Sequence, residues 1–518
     1  MFYELVNSKL ALFSNGESYI LLILQLLPLL GSLRILFIPA WQVGLIRLTA
    51  LIASLITFLV SLALWVLFDP LTADYQFRFP GSAESSTNTN LQIFDVSAIG
   101  NLFNLSFSFG IDGISLFLVL LTTFLTPICI LVGWNIPGNS YTAKGLQYLK
   151  IYCLLFLTLE TLLLVTFTVR DLLVFYLFFE AVLIPMFLLV GIFGSQPRNI
   201  RAAYKMFLYT LAGSLPMLVG ILLVYFQCGS TDWSILSTTY FSGTRQLVLW
   251  VLFFFSFAVK APLVPLHNWL PETHANAPTA GSIILAGILL KLGTYGFLRW
   301  SVTLFPFASI FFAPFVYVIC LIGIFYISLI TLRQIDAKKL IAYSSVSHMG
   351  LCLLGMFAFN IQGIEGSLLL MIGHGIVSPG LFLSIGILYD RYKTRIIHYY
   401  GGLAQTMPIL ATSMLILIMA NISLPVLSPT FAAEFLIFTG IFLVNRFVAV
   451  IAITTMVLTG AYSLFFFNRV FFGNLKMAYI SKFSDLNRRE FFCLLPFIVL
   501  SILIGIFPSL ILDISKVS

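Results

Sequence analysis

The sequence predicts an all-α integral membrane protein of about fourteen transmembrane helices, with two inverted five-helix repeats at its centre. Three observations carry that expectation. The 518 residues are 60% hydrophobic and only 9% charged, with a mean hydropathy of +1.06. Apolar runs of about 20 residues, the length that crosses a bilayer as a helix, recur along the whole chain. The few charges collect on alternate loops, as they do in membrane proteins.

The same composition narrows the function. The formal net charge is +8, but no basic stripe runs along a helix or loop, so the excess reads as basic loops on one membrane face and not as a nucleic-acid site. Cys129, Cys153, Cys228, Cys320, Cys352 and Cys493 are scattered without CxxC or Cys/His spacing. They indicate neither a disulfide framework nor a metal or iron–sulfur site. No Walker motif occurs and no GxGxxG opens a helix after a strand, so no cofactor is expected on this chain. The 52 phenylalanines suit lipid contact and packing. The start, MFYELVNSKLALFSNGESY, has neither a signal-peptide nor a transit-peptide pattern; insertion is then directed by the spans themselves, or the protein is made where it inserts.

Taken in order, spans fall near 19–39, 47–69, 112–134, 148–169, 171–193, 203–226, 246–268, 276–300, 307–331, 336–358, 364–389, 406–443, 448–472 and 490–512. Residues 1–146 hold spans one to three and one long external loop, 69–112, with SAESSTNTN inside it. Residues 147–305 make a first repeat (spans four to eight), 306–472 a second (spans nine to thirteen), and 473–518 a loop and the last span. Span seven is broken by Pro262 and Pro265, because proline removes a backbone donor and clashes with the preceding turn. Span twelve is too long for one straight helix, and Pro425 and Pro429 divide it.

Charge placement supports this order. With an even number of spans both termini share a side. The loops opposite them hold 18 of the 27 lysines and arginines, among them Arg333, Lys338, Lys339, Arg391, Lys393 and Arg395. The terminal side holds only seven: Lys9, Arg78, Arg170, Arg245, Arg299, Arg446 and Lys516. The positive-inside rule puts the termini outside. A weak repeat accompanies the topology. KAPLVPLHNWLPE in span seven and SLPVLSPTFAAEF in span twelve each set an ionisable residue beside a double proline. LAGSLPMLVGILLVY in span six and GHGIVSPGLFLSIGILY in span eleven share a Gly/Ser/Pro patch followed by GIL and a tyrosine. A five-span offset inverts one unit relative to the other, the architecture of transporters whose helix breaks mark the site.

The candidate site residues are those left inside the membrane: Lys260, Lys291, Glu160, Glu180, Glu434, His348 and His374. An ionised side chain at the bilayer centre costs about 2.5–3.5 kcal/mol on insertion scales, so such groups face water, a partner or a function. The stretch Ser256–Trp300, with both lysines and a turn holding His267 and His274, is the densest such region. Moving protons requires groups that gain and lose them in reach of one another. A carboxylate strengthens a nearby lysine's hold on its proton, so a glutamate that approaches and retreats controls the loading of a lysine. Glu180 lies at the depth of Lys260 and is assigned that part. Lys291 receives the proton and Glu434 passes it on. His348 and His374, with Ser344, Ser345 and Ser347, bridge the two through water, since histidine both donates and accepts. His267 is the better candidate for proton uptake from the basic side. The plainer readings are static ion pairs that fix packing, hydrogen-bonded core histidines, and cap or carbonyl contacts for His267 and His274. Glu160 has the weakest functional case and is expected to pair with a neighbouring span.

Beyond single residues, whole stretches carry a resemblance. FSFGIDGISLFLVLLT, LFFEAVLIPMFLLVG, VKAPLVPLHNWLPETHANAPTAGSIILAGILLKLGTYGFLR, RQIDAKKLIAYSSVSHMG, GHGIVSPGLFLSIGILYDRYKTRIIHYYGGL and AAEFLIFTG are similar to the antiporter-like membrane subunits of NADH:ubiquinone oxidoreductase (respiratory complex I), of the chain 4 or M type. The likeness covers residues 105 to 470, and LYDRYKTR followed by YYGGL fits chain 4 better than its sister chains 2 and 5. It implies a fourteen-helix, proton-translocating subunit of the membrane arm with no redox centre of its own. FMN, iron–sulfur clusters, NADH and ubiquinone would then be handled by other subunits, and chains 2 and 5 and the lipid bilayer would be neighbours, with no nucleic acid. The functional positions of that family fall on Glu180, Lys260, Lys291 and Glu434, and His348 and His374 match its central hydrophilic axis. Two places depart from the pattern: Glu160 has no counterpart among those positions, and SLPVLSPTFAAEF differs around Glu434. The first hundred residues are expected to be lineage-specific. The implied location is the mitochondrial inner membrane, with both termini in the intermembrane space, or alternatively a bacterial plasma membrane. A subunit of a multi-subunit sodium/proton antiporter shares the lysine and glutamate scaffold and is the alternative function; a purely structural spacer would not need so many buried ionisable residues.

Overall fold

The computed structural model describes residues 17–79, 107–135, 143–194, 197–426, 428–477, 479 and 484–516. Most of the expected external loop, 80–106, lies outside the described residues, as do Lys9 and Lys482. Twelve described helices are long and apolar enough to cross a membrane. Helix Ala337–Met356 matches them in length but is more polar, carrying Lys338, Lys339, three serines and His348, and it is buried by other helices along nearly its whole length.

The two expected breaks are present. Helix Gly243–Lys260 stops at Lys260 and the chain resumes as Trp269–Asn276 and Thr279–Val302. In place of one twelfth span stand Pro408–Asn421 and Pro429–Val444, with the break falling between Asn421 and Pro429. One feature was not expected in an all-α chain: Gln76–Phe79 and Phe109–Ile111 pair as a short antiparallel ribbon.

Local sequence explains the element ends. Asp112 and Ser115 form a reciprocal capping box that starts helix Gly113–Val132, satisfying donors a helix start leaves free. Asp171 accepts from Leu173 N and Val174 N to start the Glu180 helix. Asn445 does the same for Arg446–Phe471. Lys150 Nζ donates to the carbonyls of Leu36 and Ile38, 2.8 Å each, closing the end of the first helix as a cation does at a helix C-terminus. Helices Asn199–Cys228 and Ile361–Tyr392 end alike, on a left-handed residue (Gly229, φ 70; Lys393, φ 56) whose N–H returns to a tyrosine carbonyl, Tyr225 or Tyr389, at 2.8 Å.

The most apolar stretches of helices Thr279–Val302 and Ile361–Tyr392 are wholly enclosed by the rest of the chain, whereas in Tyr19–Phe37, Val43–Leu67 and Arg488–Ile506 only 28% of the corresponding stretch is buried. The lysine of one enclosed helix and the histidine of the other therefore meet in the centre of the molecule. Lipid tails supply no hydrophobic drive between such helices, so close packing at small residues does the work. Gly366 is one such place: a Cβ there would sit 2.9 Å from the Ala433 carbonyl oxygen and the Ile437 nitrogen, and this contact seats the Glu434 helix.

Candidate functional site

The first lysine sits where its helix breaks. Lys260 is 3% exposed. Its ammonium donates to the Phe179 carbonyl at 2.8 Å and stands 3.7 Å from the centre of the Phe179 ring, a cation–π contact. Glu180, the next residue, is within electrostatic reach, but among the described residues no ion pair within 4.0 Å joins it to Lys260, and its Oε1 has no hydrogen-bond partner. Lysine and glutamate are thus neighbours held one step apart. The break itself is sealed by Trp269, whose indole N–H donates to the Val259 carbonyl at 3.0 Å.

The second lysine lies at the core. Lys291 is fully buried, in a helix whose Leu285–Leu289 and Phe297–Val302 turns are π-helical, a local widening often found at functional sites. Lys291 Nζ donates to the Ala286 carbonyl at 2.6 Å, inside the first widened turn, and lies 2.8 Å from His374 Nδ1. The Lys291 helix reaches the break after Lys260 through Gly293, where a Cβ would stand 2.6 Å from Ala261 N and 2.9 Å from the Phe257 carbonyl oxygen. Both are backbone atoms and cannot swing away. Gly293→Ala is therefore expected to cost about 1–3 kcal/mol by overpacking, read as a lower melting temperature of the solubilised protein; an unchanged melting temperature would show that this contact is not tight.

From His374 the polar groups continue. The His374 and His348 ring centres are 5.6 Å apart, and His348 Nδ1 is 3.5 Å from Glu434 Oε1. The carboxylate and both rings are almost fully buried. A gap of 3.5 Å is long for a direct hydrogen bond and short enough for a small side-chain rotation to close. Lys291, His374, His348 and Glu434 thus form one file across the interior.

Other candidates fall elsewhere. The hydroxyls of Ser344, Ser345 and Ser347 each donate to a carbonyl of their own helix, at 2.7–2.8 Å, the usual habit of serine inside a helix. His267 is 6% exposed, within the break that follows Lys260 and with its ring centre 6.4 Å from that of Tyr343. His274 neither caps a helix nor bonds a carbonyl; it lies flat on Phe382, ring centres 4.4 Å apart, with neither nitrogen partnered among the described residues. Glu160 does meet a neighbouring span, accepting from Thr57 Oγ1 at 2.7 Å.

Two cations counted as loop charges are buried instead. Lys338 is 0% exposed and donates to the Ala277 carbonyl at 3.0 Å. Arg299 is paired with Asp112 beneath aromatic rings. Arg299 sits in the last turn of its helix and Lys338 in the first turn of its own, where hydropathy reads a charge as solvated. Tyr462, fully buried beside Glu434, was also missed, since one tyrosine in an apolar run gives no signal. Among the described residues no group of three His, Cys, Asp or Glu is placed to hold a metal.

Known proteins are similar to this chain. Residues 169–459 match the NADH:quinone oxidoreductase/Mrp antiporter transmembrane family. The NADH-ubiquinone oxidoreductase chain 4 of Prototheca wickerhamii is 52% identical over 514 residues, 99% of this chain and 96% of that one. The chain belongs to the NADH-ubiquinone oxidoreductase chain 4 family. That alignment takes in the first hundred residues, so the expectation that they are lineage-specific is corrected: this relative has them too. Among solved structures, a chain of respiratory complex I from Thermus thermophilus with bound NADH superposes with a TM-score of 0.79 at 29% identity, over 96% of this chain and 99% of that chain. A chain of the Mrp complex from Dietzia sp. DQ12-45-1b gives 0.80 at 20% identity, over 97% and 96%, a likeness of fold alone.

Proposed function

We propose that this chain is the chain 4 subunit of NADH:ubiquinone oxidoreductase and moves protons through the membrane arm along Lys291, His374, His348 and Glu434. The observation that carries the reading is the file of closely spaced, buried groups that donate and accept, in a chain whose family works in that complex. Electron transfer from NADH to ubiquinone would take place on other subunits, which hold FMN and the iron–sulfur clusters. The partners are the other membrane-arm subunits, chains 2 and 5 among them.

In this mechanism Lys260 is the loading group and Glu180 its control. The ammonium rests on the Phe179 carbonyl with the carboxylate beside it, so a small movement of the Glu180 helix brings the carboxylate onto the lysine or withdraws it. The energy of a charge pair in a dry interior changes steeply with separation, and the proton on Lys260 follows. With the carboxylate withdrawn the proton passes towards Lys291. Lys260→Ala is expected to lower NADH-driven proton translocation while the complex still assembles; normal translocation in that variant would remove Lys260 from the path.

The proposal extends to the topology. Fourteen spans, two inverted units over spans four to eight and nine to thirteen, both termini on the intermembrane-space side and the mitochondrial inner membrane make one consistent picture. Several matched details favour the inverted repeat. Isolated backbone bridges join Asp171 to Asp232 and Asp336 to Ile396, each tying the start of a helix to the segment after the next. The left-handed caps at Gly229 and Lys393 follow them with a similar offset. Pro216 and Pro379 lie inside the two corresponding helices.

The alternative is a sodium/proton antiporter subunit, for which the shared fold with the Mrp chain speaks. Native electrophoresis of gently solubilised membranes, stained for NADH dehydrogenase activity, separates the two. The chain is expected in the large active band; migration apart from that activity would favour the antiporter.

A further inference from the structure

The turn between two outer helices holds a recess that the proton path does not use. Helix Leu183–Phe193 ends and helix Asn199–Cys228 begins within a few residues of each other. Beside that turn Pro197, Arg198, Ile200, Arg201 and Tyr204 line a cavity of about 660 Å³, inside the range of roughly 300–1,000 Å³ usual for ligand pockets. Both arginines are exposed. Lys205, one turn on from Arg201, is paired with Glu272 at 2.8 Å, but among the described residues no acid pairs with Arg198 or Arg201. Two guanidiniums in one recess, with no counter-charge from the chain, call for an anion, and the planar guanidinium grips phosphate oxygens two at a time.

The surface that continues from the recess selects among anions. Arg201, Tyr204, Leu208, Leu211, Leu215 and Val219 follow at steps of three or four and so share one face of their helix. From Tyr204 onward all are large exposed side chains. Residues 208 to 219 rise about 16 Å as a helix, about half of the ~30 Å hydrocarbon core, which is the depth of one leaflet. The opposite face is the packed one: a Cβ at Gly213 would stand 2.7 Å from Val259 Cγ2, and one at Gly220 2.9 Å from Phe253 Cε2. Helices meet inside membranes at small residues. The outward stripe has none, so it fits an acyl chain better than another helix. A free phosphate would fill the recess and leave the stripe without a role.

We propose that residues 197–204 bind the phosphate of an anionic phospholipid whose acyl chain lies along residues 208–219. Basic pockets beside membrane helices hold headgroups of this kind. Tyr204 stands where the polar and apolar parts meet, the depth that tyrosine favours at a membrane surface. The site is separate from the proton path and does not depend on it.

The test reconstitutes the purified complex in phosphatidylcholine vesicles with a trace of photoactivatable phosphatidylglycerol or, in parallel, photoactivatable phosphatidylcholine, the reactive group being on the acyl chain. Mass spectrometry of the peptides then maps the label. The phosphatidylglycerol probe is expected to label residues 204–219 several-fold more than the phosphatidylcholine probe does. Arg198→Gln with Arg201→Gln is expected to remove that preference, and NADH oxidation by the same vesicles checks that the double variant is assembled. Equal labelling by the two probes, or a preference that survives the double variant, would overturn the proposal. So would the absence of label from either probe, the result of a neighbouring subunit covering the stripe. Excess unlabelled phosphatidylglycerol is expected to suppress the label and inorganic phosphate to leave it; suppression by inorganic phosphate would assign the recess to a free anion instead.

Discussion

Replacing Lys291 with alanine is expected to abolish NADH-driven proton translocation in the assembled complex. The residue is fully buried, and its ammonium joins the Ala286 carbonyl to His374 Nδ1; no other described side chain occupies that junction. Positioned proton-transfer groups contribute about 10²–10⁴ in rate, so a fall of at least about 10²-fold in coupled turnover is the scale to look for. Lys291→Arg is expected to fail as well, because arginine holds its proton too firmly to pass it on. Assembly, read from the amount of chain in the active band, should survive the alanine change, since alanine removes the charge whose burial is costly. Proton translocation at the unaltered rate would show that the file does not begin at Lys291.

Glu434→Gln should have an effect of similar size at the other end. Glutamine keeps the shape of the side chain and its polarity beside His348, but it cannot take up a proton. The contact of Gly366 with the Ala433 carbonyl holds the helix in register whichever residue stands at 434. The expected result is loss of coupled NADH oxidation by about 10²-fold or more, with Glu434→Asp retaining part of it. Unaltered coupled oxidation in the glutamine variant would take Glu434 off the path.

What was legible in the sequence follows from what single residues cost in a membrane. A lysine or glutamate inside an apolar run must have a reason, and so Lys260, Lys291, Glu180 and Glu434 stand out from their flanking residues alone. The breaks stand out as well, because Pro262, Pro265, Pro425 and Pro429 act through their own geometry. Partnerships are harder to read. That Lys260 rests on a carbonyl and not on Glu180 depends on how two helices dock. That the serine hydroxyls bond carbonyls of their own helix depends on the competition between a neighbour and those carbonyls. The π-helical turns around Lys291 leave no trace in an apolar, glycine-containing run. Arg299 and Lys338 were misplaced for a physical reason: at the end of an apolar segment, a charge that snorkels to water and a charge buried against carbonyls or a carboxylate have the same local sequence.

The central claim is that His374 carries the proton from Lys291 to His348, and the proton yield of a His374→Leu complex tests it most directly. Leucine fills much of the ring's volume while removing both nitrogens. With the complex reconstituted in sealed vesicles and NADH oxidation followed in parallel, the expected result is an assembled enzyme whose proton translocation is largely lost. Translocation at the unaltered rate and ratio in that variant would contradict the claim.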